Sequence, residues 1–164
     1  VRRELLAQLE PPVLDLHGAT WVSRERYELR ADARRFELWE SNLAAKRGLA
    51  AAVDYALGLG LDPIAVRIAA LANRLRATLE GVEGVRVRDL GPPRCGIVSF
   101  TREGHSPDEL CRRLGARGVN ASVSPAHYTR VDMERRSLDA VVRLSPRCYY
   151  FEEEIDAAVD ALKS

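Results

Sequence analysis

The chain has 164 residues, 46% of them hydrophobic, which is enough for one domain with a real core or a domain carrying an arm. Lys and Arg number 25 against 24 Asp and Glu, a formal net charge of +1, so any basic patch is locally offset and general nucleic-acid binding is excluded. No stretch approaches the roughly 20 apolar residues of a membrane span, and Cys95, Cys111 and Cys148 are too scattered for a disulfide framework or a zinc site, which fits a reducing cytoplasm.

Leu5, Leu6 and Leu9 sit at helical spacing, and Pro11-Pro12 stops the short opening helix they predict. From Val13 to Arg30 no period persists, and the segment reads as an irregular arm. Ser41 is the expected N-cap of a helix with the stripe Leu49, Ala50, Val53, Ala56 and Leu57, ended by Gly58-Leu59-Gly60. Asp62-Pro63 reads as the cap of a second helix, whose face Ile64, Ile68, Leu71, Leu75 and Leu79 predicts antiparallel packing on the first.

After Gly81 the pattern becomes alternating. Val85 and Val87 predict one strand, and Cys95 to Phe100 a second. Ser106-Pro107-Asp108-Glu109 opens a helix running to Gly118, Val119 to Val123 reads as a strand, and Ser124 to Leu138 as an irregular excursion. Ala140 to Ser145 closes the strands, and Glu152 to Lys163 is a helix with Ile155, Val159 and Leu162 inside. The expected fold is an α/β two-layer sandwich of β-β-α-β-β-α order behind an arm and a helix pair.

Arg143 interrupts the apolar strand Ala140-Val141-Val142-Arg143-Leu144-Ser145. A charge there either pairs, faces outward, or receives a ligand anion, and a guanidinium fork suits a carboxylate. At this point a family resemblance enters. Val142-Arg143-Leu144-Ser145-Pro146 followed by Glu152-Glu153-Glu154-Ile155-Asp156 resembles the closing segment of class V aminotransferases and cysteine desulfurases. Arg35-Phe36-Glu37 with the glycine- and alanine-rich helix after it, the arm from Pro11-Pro12 to Thr20-Trp21, and the strand Cys95 to Phe100 are similar to the same family in the same order.

The resemblance implies the C-terminal small domain of a fold-type I pyridoxal-phosphate (PLP) enzyme, dimeric when complete. On it, residues 1–40 are the end of the large domain and an arm, 41–80 a connecting helix pair, and 81–164 the small domain. It implies that Arg143 binds the carboxylate of an amino-acid substrate, with His17 and Trp21 as further substrate contacts near the partner subunit's site. Where desulfurase relatives carry a phosphate-binding G-T-P-N turn, this chain has Leu38-Trp39-Glu40-Ser41-Asn42. Glu40 would repel a phosphate, leaving Trp39 or Ser41 as substitutes.

Two departures narrow the chemistry. Ser122 to Arg130 holds no cysteine, so the desulfurases' thiol nucleophile is not expected, and Cys111 and Cys148 read as structural. Lysine occurs only at positions 46 and 163, neither in a context resembling the Schiff-base site. The sequence opens Val1-Arg2-Arg3-Glu4, and the expectation is a substrate-clamping portion that joins a large PLP-binding domain. Transamination, epimerisation and cysteine-type C–S lysis all stay open. The rival from another class is a non-catalytic small-molecule or protein-binding α/β domain, which predicts a self-sufficient monomer with its arm packed down.

Overall fold

The computed structural model describes residues 1–92 and 94–163. It divides into two compact units, Val1–Tyr55 and Ala56–Ser164.

In the first unit the opening helix is a 3-10 turn, Arg3–Gln8, that buries Leu6. The arm is not irregular. It contains an antiparallel hairpin, β1 (Ala19–Ser23) and β2 (Arg26–Leu29), with Trp21 opposite Tyr27 and a register shift between Trp21 and Ser23. Its strands are short and mostly exposed on both sides, so no apolar alternation marked them in the sequence. A second 3-10 turn, Ala33–Phe36, is capped by Asp32, whose carboxylate accepts from the Arg34 N–H at 3.1 Å. The Arg35 guanidinium donates to the carbonyls of Leu6 and Arg30, both at 2.7 Å, tying the opening turn to the end of the hairpin.

Helix α1 (Leu43–Leu59) is capped by Asn42, whose side-chain oxygen accepts from the Ala45 N–H at 2.9 Å, and not by Ser41 as expected. The expected buried stripe is also corrected. No residue of α1 is buried, and Leu49, Val53 and Leu57 stay exposed. The chain breaks for a single residue, Gly60, before α2 (Leu61–Glu80) begins, and one residue is too short a link for the antiparallel reversal that was expected. Asp62 accordingly lies in the first turn of α2 and Gly60 holds the cap position.

The second unit is built on a four-stranded antiparallel sheet of order β3-β4-β6-β5: β3 (Val85–Val87), β4 (Val98–Arg102), β5 (Ser122–Pro125) and β6 (Ala140–Leu144). Helices α2, α3 (Pro107–Ala116) and α5 (Glu152–Lys163) pack on it and on one another around Phe100, Leu75, Leu79, Leu114, Val142 and Leu162. Ser106 caps α3 as expected, its hydroxyl accepting from the Glu109 N–H at 3.2 Å. The guanidinium of Arg117 donates to the Ala161 carbonyl at 2.6 Å, and that of Arg102 to the Leu162 carbonyl, so two cations close the C-terminal end of α5. The excursion after β5 contains a 3-10 turn, Ala126–Tyr128, and the short helix α4 (Arg130–Arg135), which buries Met133.

Two strands start later than expected, each for a hydrogen-bonding reason. Val119 gives its N–H to the Leu114 carbonyl at 3.0 Å, closing α3, so β5 begins only at Ser122. The carbonyls of Cys95 and Ile97 are taken by the Arg76 guanidinium at 2.7 and 3.0 Å, so β4 begins only at Val98. Gly96 lies between them because a β-carbon there would stand 2.4 Å from the Ile68 side chain.

Arg76 is 3% exposed, the charged residue buried among the apolar face of α2. Its Nε donates to Asp89 Oδ2 at 2.7 Å and its Nη1 to Asn73 Oδ1 at 3.2 Å, while Asp89 Oδ1 accepts from the Ser99 N–H at 2.8 Å and hydroxyl at 2.6 Å. Removing one partner of such a pair strands the other, at about 3–5 kcal/mol, whereas an exposed pair contributes about 1 kcal/mol or less. Arg76→Ala is therefore expected to lower unfolding free energy in urea by about 3–5 kcal/mol, and Arg74→Ala, which breaks the exposed pair with Asp156, to change it far less. Equal losses would show that the buried network is not the tie described.

Candidate functional site

Strand alternation sends Val142 and Leu144 into the core and Arg143 to the opposite, open face of the sheet. Directly opposed residues of an antiparallel pair share a face, and Arg143 is opposed by Ser99 on one side and Ser122 on the other. Both serines are half-buried and Arg143 is exposed. Among the described residues the Arg143 guanidinium makes no hydrogen bond and no ion pair. Of the three sequence-level options the ion pair is not made. What stands is a guanidinium between two serines, and because the Ser99 hydroxyl already donates to Asp89, the donors suited to carboxylate oxygens are the guanidinium fork and the Ser122 hydroxyl.

In the first unit one carboxylate organises the candidate residues. Asp15 Oδ1 accepts from the N–H groups of His17 at 2.7 Å and Gly18 at 3.3 Å, and Oδ2 accepts from the Trp39 N–H at 2.6 Å. These bonds, that of Trp39 foremost and then those of His17 and Gly18, hold the Asp15 carboxyl below the usual carboxylate range. Gly18 is required by close approach, since a β-carbon would lie 2.8 Å from the Arg35 carbonyl oxygen. The result brings His17 and Trp39 together, rings edge to face with centroids 6.0 Å apart, and places His17 Nε2 3.3 Å from Glu37 Oε2.

Trp21 is 66% exposed on the hairpin, beside Leu14, Leu16, Ala19 and Tyr27 in a shallow apolar depression. Ser41 accepts from Lys46 Nζ at 3.1 Å, while Trp39 is 70% exposed with its N–H already given to Asp15. Asp15 was not singled out in the sequence, and Glu37 only as the end of the Arg35-Phe36-Glu37 element. The signal was there in Asp15-x-His17-Gly18, where a short acceptor followed by glycine is a turn pattern in which the carboxylate collects nearby N–H groups.

Of the thiols, Cys95 is exposed, and burial, with a smaller contribution from the Asp108 charge, pushes the Cys111 thiol up, away from nucleophilic use. The loop where a desulfurase nucleophile was not expected carries His127 and Tyr128, ring centroids 4.7 Å apart. Among the described residues no group of His, Cys, Asp and Glu could hold a metal ion, and no single helix is long and apolar enough to cross a membrane. Lys46 is bound to Ser41, and Lys163 pairs with Asp160 at 2.7 Å. Both are exposed, whereas imine chemistry uses a desolvated amine. Neither Lys46 nor Lys163 is set in a desolvated pocket of that kind, and the Arg143 guanidinium is a group suited to an anion.

Solved structures share this fold. An apo cysteine desulfurase from Thermococcus onnurineus NA1 superposes with a TM-score of 0.86 at 24% identity, over 99% of this chain and 41% of that one. The cystine C-S lyase C-DES, in complex with its product cysteine persulfide, does so with a TM-score of 0.77 at 18% identity, over 99% of this chain and 40% of that one. These neighbours are fold-type I PLP enzymes, and the architecture is of that class. A family model described as aminotransferase class-V matches residues 1–158, and the chain belongs to that family. A probable cysteine desulfurase of Xylella fastidiosa is 33% identical over 164 residues, covering 98% of this chain and 38% of that protein. A cysteine desulfurase of Synechococcus elongatus is 31% identical over 143 residues, covering 87% of this chain and 22% of that protein. The chain thus spans well under half the length of these relatives.

The lowered Asp15 pKa has a pH consequence. A depressed carboxyl contributes stability that is fully present above its unfolded value of about 3.9 and is lost as pH falls through the folded value. The Trp39 and His17 amide signals in NMR spectra are expected to hold steady from neutral pH down to about 4, then to move together below it. Asp15→Asn should leave these signals already shifted at neutral pH and flat on acidification. An unchanged transition in that variant would assign it to another group.

Proposed function

We propose that this chain is the substrate-clamping portion of a PLP-dependent enzyme acting on an amino acid. The observation that carries the reading is Arg143, an exposed guanidinium without a counter-ion among the described residues, set between Ser99 and Ser122 on an open sheet face. A substrate carboxylate would take its two parallel N–H donors, fixing the amino acid so that the bond to be broken stands against the cofactor. The cofactor supplies an electron sink for the carbanion, and the share of Arg143 is orientation.

His17 and Trp21 serve in this reading as further substrate contacts at a neighbouring subunit's site in a homodimer. Trp39 and Ser41 would hold the cofactor phosphate, Ser41 together with the Lys46 ammonium from which it already accepts. The division of labour is residues 1–40 as the end of a large domain with an arm, 41–80 as connecting helices and 81–164 as the small domain. An uncovered α1 with Leu49, Val53, Tyr55 and Leu57 exposed supports a large cofactor-bearing domain as the partner that covers it, and weighs against a self-sufficient binding module. A cytoplasmic location accords with three free cysteines.

Transamination, epimerisation and C–S lysis share the same clamp. The relatives described as desulfurases and as a cystine C-S lyase favour cleavage of a C–S bond. Since Ser122 to Arg130 holds no cysteine, transfer of sulfur to a thiol in that loop is not part of the reading.

The test is steady-state kinetics in the complete enzyme. Arg143→Gln should cut kcat/KM for the amino acid about a hundredfold, chiefly through KM, the scale of one lost charge-assisted pair. The visible cofactor band should be untouched. An unchanged KM would remove Arg143 from the clamp.

A further inference from the structure

The strand register extends the Arg143 row by one residue. Arg88 follows β3, and its N–H donates to the Ser99 carbonyl at 2.7 Å, continuing the ladder in which Val87 faces Phe100. Arg88, Ser99, Arg143 and Ser122 therefore form one row across four strands, all on the open face. Strands stand about 4.8 Å apart, so the Arg88 and Arg143 backbones are about 10 Å apart, close enough for two long side chains to reach opposite ends of one small molecule.

Beside this row lies a cleft of about 400 Å³ whose walls include Arg76, Arg88, Arg94, Ser99, Asp132 and Arg136. Its charges do not cancel. Arg76 is neutralised by Asp89 at 2.7 Å and Arg136 by Asp132 at 2.8 Å. Arg88 has only the neutral Thr101 hydroxyl, at 2.9 Å from its Nε, and Arg94 is exposed with no polar partner among the described residues. Two guanidinium groups thus remain without a counter-charge among the described residues at the edge of the clamp. An amino acid with one carboxylate would satisfy Arg143 and leave both unanswered.

We infer that the amino acid held by Arg143 carries a second anionic group, a carboxylate at the far end of its side chain, which Arg88 and Arg94 receive in this cleft. The inference rests on the Arg143 clamp and names its substrate class. A dicarboxylic amino acid would lie along the strand row with Ser99 beneath its middle. The Asp89 carboxylate holds Ser99 in place and is kept from repelling the ligand by its bond to Arg76.

The experiment is a titration of the full chain with butyrate and with glutarate, followed by the backbone amide signals of Ser99 and Arg143. Glutarate should bind about tenfold tighter than butyrate, the scale of one added charge-assisted contact. Arg88→Gln and Arg94→Gln should each erode that advantage and leave butyrate binding unchanged. Arg94 makes no polar contact within the described fold, so its substitution separates ligand binding from folding. Equal affinities, with Arg143 responding to both ligands, would overturn the second anion site and leave the clamp intact. No response of Arg143 to either ligand would overturn the clamp itself, and the inference with it.

Discussion

The second unit depends on one ion pair that is almost dry. Arg76 on α2 reaches Asp89 after β3 and two carbonyls before β4, and Asp89 in turn holds Ser99 inside β4. A guanidinium with its donors spread over four acceptors tolerates burial that an unpaired charge would not. The same bonds decide where β4 starts, and therefore which of its residues face the core and which face the open side. Phe100 enters the core because Ser99 is held outward, and Arg143 stands on the open face opposite Ser99 because the register of β4 on β6 follows.

The first unit has a smaller organiser of the same kind. Asp15 collects three N–H groups from two segments more than twenty residues apart and so brings His17 beside Trp39. Half-buried, it acts by geometry more than by energy. Acid should undo it, whereas Arg76–Asp89 belongs to the cooperative core. Both carboxylates bond backbone N–H groups of residues argued to meet substrate or cofactor, Asp15 those of His17 and Trp39 and Asp89 that of Ser99. Each fixes the backbone on which those groups ride.

Charge is what separates the two faces of the sheet. The helix-covered face is apolar apart from Arg102 at its edge, which reaches the Leu162 carbonyl, while the outward positions of the four strands supply Arg86, Ser99, Thr101, Ser122, Ser124 and Arg143 beside one apolar residue, Val141, with no carboxylate among them. A face of this kind is a poor place for an apolar partner and a good one for an anionic small molecule. Helix α1 has the opposite character, with apolar side chains uncovered along its length and three charges, Lys46, Arg47 and Asp54. The chain presents one surface for chemistry and another for a protein.

Much of this was legible in the residues alone. The β-β-α-β-β-α order, the Ser106 cap, the last helix and the odd position of Arg143 followed from local periodicity and capping, which act over a few residues and leave a mark in the sequence. The hairpin at residues 19–29 did not, because both its faces are wet and wet faces need no alternation. Nor did the starts of β4 and β5, the cap of α1 by Asn42, or the bare stripe of α1. Each was decided by a competitor for a backbone group, or by the length of one link, and not by the residue's own preference. Sequence determined that an arginine would sit in the last strand. Tertiary structure decided that it would have serines for neighbours and no acid to answer it, because only strand pairing puts residues 88, 99, 143 and 122 in one row.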